Sequence, residues 1–231
     1  EYFLEVLSIM SFCAQLREEA REIWDGWHQH PFIAGIRDGS LEREKFIYWI
    51  KQDYLYLQDY ARIFALAGAK ASRLEDMQSF ARLMDGILNT EMSLHRSYCA
   101  QFGITAQELE TLDKSPTCQG YTDFLVRTAA LETVGVTVAA LLPCIWGFYE
   151  IGTRLQEVGD TSPDNPYRDW IAMYSSAEFA QLSQWSKELM ERYAREAGSG
   201  EREQMKKAFV ISSKYEALFW EMAHTLEEWK Y

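Results

Sequence analysis

The sequence predicts an all-α protein, and three observations carry that expectation. Apolar residues recur at three- and four-residue steps through most of the chain, no long stretch alternates with period two, and only five prolines and thirteen glycines interrupt 231 residues. Hydrophobic content of 48% against 25% charge is the balance of a folded globular chain. No repeat, low-complexity run or loop of linker length divides the sequence, so we expect one helical domain over residues 11–231, with residues 1–10 as an N-terminal extension. The opening EYFLEVLSI is apolar but carries Glu1 and Glu5, lacks a basic start and is too short for a signal peptide.

The elements follow from local chemistry. Residues 11–28 place Phe12, Leu16, Ala20, Ile23 and Trp27 on one helical face, and His30-Pro31 ends that helix because a residue before proline avoids the helical region. Arg37-Asp38-Gly39-Ser40 is turn chemistry leading to a long, aromatic-rich helix over 41–70. Ser72 with Glu75 predicts a capping box for a helix that runs to Phe102 and stops at Gly103. Thr105 with Glu108 opens a short helix, and Ser115-Pro116 caps another to about residue 131. After an apolar helix to 158, residues 159–165 form the clearest loop. A short helix around 170–174, a longer one over 176–197, the breaker Gly198-Ser199-Gly200 and a last helix over 201–228 complete some eight helices.

Charge and cysteine usage narrow the function classes. A net charge of −12, spread along the chain with no basic patch, argues against nucleic-acid binding and against an anionic membrane surface. Cysteines 13, 99, 118 and 144 lack CxxC pairing or zinc spacing and read as reduced thiols of a cytoplasmic protein.

The stretch VGVTVAALLPCIWGFYE, residues 134–150, is uncharged from Val134 to Phe148, the pattern of a core element. That apolar run falls short of the about 20 residues a membrane span needs. Pro143 donates no backbone hydrogen bond, so it frees the Ala139 carbonyl and bends the helix just before Cys144. On this segment alone Cys144 is either a small buried hydrophobe or a nucleophile in a special environment.

Other polar residues stand in aromatic surroundings. Asp53, Tyr56 and Tyr60 share a helix face with Trp49 and Phe64, where a carboxylate needs a partner, whereas Asp59 is expected at the surface. Glu91 and His95, four apart, form a local ion pair or contribute to a metal site; a di-iron site would need a second Glu-x-x-His copy that the sequence lacks. Glu216, between Tyr215 and Phe219-Trp220, is either a surface glutamate or a buried acid. Periodicity does not reveal whether Asp53, Cys144 and Glu216 meet.

HPFIAGIRDGSL at 30–41, FIYWIKQDYLYL at 46–57, EMSLH at 91–95, SPT followed by Tyr121, AALLPCIWGFYEIG at 139–152 and FVISSKYEALFWEMA at 209–223 together resemble the TenA or thiaminase II family of aminopyrimidine aminohydrolases. The resemblance implies a single-domain heme-oxygenase-like helical bundle without heme or other cofactor or metal, assembled as a homotetramer. It implies hydrolysis of the C–N bond between the pyrimidine methylene and its amine, in 4-amino-5-aminomethyl-2-methylpyrimidine or in thiamine. It further implies that Cys144 is the nucleophile, Glu216 the proton-exchanging carboxylate and Asp53 the acid that holds the ring and helps activate the thiol. Tyr56, Tyr121, Phe148 and Tyr174 would line the pocket. Phe148 stands where many members have tyrosine, which removes a hydroxyl from the neighbourhood of the thiol. Two other readings compete: an oxidase on the same fold with metal held by Glu91, His95 and Glu216, and a non-catalytic regulator.

Overall fold

The computed structural model describes residues 10–231; the expected extension lies outside the described residues, except for Met10. Among the described residues every regular element is helical. The chain divides into two compact units, one of residues 1–40 and 135–217, the other of residues 41–134 and 218–231.

In the first unit, α1 (Phe12–Glu19), α2 (Arg21–Gln29) and α3 (Pro31–Asp38) replace the single expected helix and its terminator. Pro31 starts a helix as well as ending one: at the first helical position its missing N–H costs nothing, and the His30 ring accepts the Phe32 N–H at 3.2 Å. Next in this unit come α9 (Val134–Leu142), a π-helical turn (Pro143–Gly147) and α10 (Phe148–Val158). Together they make a helix of 25 residues, long and apolar enough to cross a membrane. The length argument from the uncharged segment therefore fails, but 78% of the apolar window is buried inside the protein, as in a core helix. The unit is completed by α11 (Arg168–Tyr174), α12 (Ala177–Glu196) and residues 199–217 of α13 (Ser199–Thr225).

The second unit is built around α4 (Arg43–Lys70), which packs on α5 (Leu74–Gly86) and α8 (Pro116–Leu131). A second π-helical turn (Ile87–Glu91) joins α5 to α6 (Met92–Gln101), and α7 (Ala106–Glu110) follows. The Thr105–Glu108 capping box forms as expected, and Ser115 caps α8 through the Cys118 N–H at 3.2 Å. The Ser72–Glu75 box does not: the N-cap is Arg73, with no side-chain capping bond.

Close helix approach fixes the part of the first unit that carries Cys144. A Cβ on Gly147 would lie 2.7 Å from the Trp27 ring, and one on Gly152 would lie 2.6 Å from the Tyr174 backbone. We predict that Gly152→Ala destabilises the protein by on the order of 1–3 kcal/mol, because backbone cannot yield as a flexible side chain can. An unchanged urea midpoint would contradict this packing.

Candidate active site

Pro143 brings no N–H to the helix ladder, and the backbone takes a π-helical turn over residues 143–147. Side chains serve two carbonyls of the turn before it. The Cys144 thiol donates to the Leu141 carbonyl at 3.0 Å, and the buried Ser212 hydroxyl donates to the Ala140 carbonyl at 2.6 Å.

The same contacts set the register between α9 and α13. Gly135 lies against Met205, and Ala140 lies against Ser212, so residue numbers advance in the same sense and the helices run parallel here. Cys144 and Glu216, each one turn beyond the Ala140–Ser212 bond, therefore come to the same height along the pair. Glu216 is 3% exposed, which makes it a buried acid and not a surface glutamate.

Cys144 is half-buried, whereas Cys13, Cys99 and Cys118 are buried, and none of the four is in a disulfide. Burial is the main cause that pushes the thiols of Cys99 and Cys118 up to about 11 and about 12, and burial with the Glu191 charge raises Cys13 further. These three are neutral near pH 7 and poor nucleophiles. Near the turn, the Phe148 ring packs 4.8 Å from Tyr174 and 6.2 Å from Trp170.

The remaining predicted residues belong to the second unit. Tyr56 contacts Tyr121 and Tyr60, with ring centroids at 5.4 and 5.6 Å, and Phe219 meets it edge-on at 6.0 Å. On the same helix, Asp53 is 8% exposed, and its Oδ2 lies 2.6 Å from His95 Nε2. His95 thus pairs with Asp53, 42 residues away, and the expected Glu91–His95 pair gives way to it. Burial alone would lower the His95 pKa, but the hydrogen bond and charge of Asp53, with the Glu91 charge, hold it above its usual value. Glu91 is itself raised, first by burial and then by the Asp53 charge, against the opposing pull of His95.

Asp59 is buried, not exposed, and is ion-paired with Arg62 and Lys114. Lys114 was not anticipated, because it reaches Asp59 from a loop 55 residues away. Among the described residues no group of three or more His, Cys, Asp or Glu side chains is arranged to hold a metal.

An all-helical chain with a part-exposed cysteine on a π turn, a buried acid at the same height and a tyrosine-lined Asp–His pair has the architecture and polar residues of a helical enzyme. It belongs to the TENA/THI-4/PQQC family, whose model matches residues 17–226. The chain is 41% identical to the aminopyrimidine aminohydrolase of Halalkalibacterium halodurans, over 96% of this chain and 99% of that one. A solved TenA homologue from P. horikoshii superposes with a TM-score of 0.86 at 26% identity, covering 94% and 99% of the two chains. A Shewanella denitrificans domain with a heme oxygenase-like fold matches with a TM-score of 0.76 at 13% identity, covering 94% of each chain, which bears out the expected fold class.

Removing the Ser212 hydroxyl tests the register that levels Glu216 with Cys144. Ser212→Ala is expected to cost about 1 kcal/mol, the net worth of one buried hydrogen bond. Chemical denaturation measures it, and unchanged stability would show that the bond does not hold the pair.

Proposed function

We propose that this chain is an aminopyrimidine aminohydrolase of thiamine salvage, acting on 4-amino-5-aminomethyl-2-methylpyrimidine, on thiamine, or on both. It releases 4-amino-5-hydroxymethyl-2-methylpyrimidine. The observation that carries the mechanism is the burial of the four cysteines: Cys144 is half-buried, and the other three are buried. Family membership and 41% identity to a relative named for this activity support the substrate class.

In this mechanism the Cys144 thiolate adds to a ring carbon beside the one bearing the methylene. The new S–C bond pushes electrons toward the exocyclic C–N bond, which breaks as Glu216 gives a proton to the departing amine. Water then adds to the methylene and returns a proton to Glu216. The S–C bond breaks, the ring regains aromaticity, and the net change is amine replaced by hydroxyl. Asp53 takes the exocyclic ring amine, while Tyr56, Tyr121, Phe148 and Tyr174 supply aromatic area for a flat ring.

Residues 11–231 act as one catalytic domain in this account, matching the span of the family likeness. Four thiols outside any disulfide suit the cytoplasm. We assign a homotetramer, in keeping with apolar Leu74, Met77 and Leu88 left exposed along one stretch.

Wild type and Cys144→Ser, incubated with each compound and followed for hydroxymethylpyrimidine, test the nucleophile. The variant is expected to lose about 10³-fold or more of turnover, and equal activity would remove Cys144 from the mechanism. Phe148→Tyr restores a hydroxyl near the thiol and is expected to raise turnover. Unchanged rates on both substrates would make that hydroxyl irrelevant.

A further inference from the structure

We propose that His95 is a positioning residue for substrate binding: its imidazole holds one carboxylate oxygen of Asp53 so that the other is presented to the aminopyrimidine. This rests on the reading that Asp53 binds the ring.

Geometry supplies the argument. Asp53 uses Oδ2 for His95 at 2.6 Å, and its Oδ1 has no hydrogen-bond partner among the described residues. One oxygen is engaged and one is open. A carboxylate only accepts, so the His95 nitrogen that meets it, Nε2, carries a proton. Asp53 on α4 and Glu91 on the π turn are the acids that act on the ring, and both favour its charged form. The neutral thiols of Cys99 on α6 and Cys118 on α8 also feel Asp53, and Lys51 acts on Cys99.

The clamp matters because a lone aspartate on a helix rotates about two side-chain bonds, whereas a planar amine-bearing ring needs an acceptor in one place. An error of 1 Å in such a contact costs about 10²-fold in rate.

The test measures hydroxymethylpyrimidine binding by calorimetry, with steady-state kinetics, in full-length wild type, Asp53→Asn, His95→Leu, His95→Gln and the Asp53→Asn/His95→Leu double variant. Asp53→Asn and His95→Leu are each expected to weaken binding about tenfold or more. The double variant should be no weaker than the worse single one, and KM should rise more than kcat falls. His95→Gln keeps an N–H for Asp53 without the charge, so it should recover part of the loss; it also carries the test if His95→Leu does not fold. Nitrogen NMR of His95 should show Nε2 protonated at pH 7. Wild-type binding by the His95 variants, beside a weakened Asp53→Asn, would overturn the His95 role and leave the Asp53 reading standing. Wild-type binding by Asp53→Asn would overturn both. Additive losses in the double variant, or an Nε2 without a proton at pH 7, would show that His95 does not act through Asp53.

Discussion

One missing N–H organises the Cys144 region. Pro143 lies in a buried, almost uncharged helix, where an unserved carbonyl has no water to turn to. The backbone takes a π-helical turn there, and the thiol of Cys144 and the hydroxyl of Ser212 donate to the Leu141 and Ala140 carbonyls of the turn before it. The Ser212 bond ties α9 to the helix that carries Glu216.

The polar residues divide by task. Cys144 and Glu216 stand in one compact unit, beside the Phe148–Tyr174 pair; Asp53, His95 and the Tyr56–Tyr121 rings stand in the other.

Much of the fold was legible because its signals are local. Thr105 with Glu108 and Ser115 before Pro116 act within one helical turn, and each caps its helix as expected. Ser72 failed because the chain enters α5 one residue later, at Arg73. Pro31 ends its helix as expected, and it also starts another, which the spacing did not predict. Neither π turn leaves a trace in hydrophobic spacing; Pro143 marked the place of one without revealing its form. The site was legible as residues but not as partnerships. His95 pairs with Asp53, 42 positions away, and Asp59 draws Lys114 from 55 positions away, and no periodicity encodes such reach. The burial of Glu216 could not be settled from a sequence stretch that is apolar on both sides of it.

The central claim is that the half-buried thiol on the proline-containing turn does the chemistry. Iodoacetamide labelling followed by peptide mass spectrometry tests it most directly, with activity measured on the same samples. The account predicts that Cys144 alone is alkylated in the folded protein, that activity falls in step with its modification, and that hydroxymethylpyrimidine protects both. Full turnover by protein fully alkylated at Cys144 would contradict it.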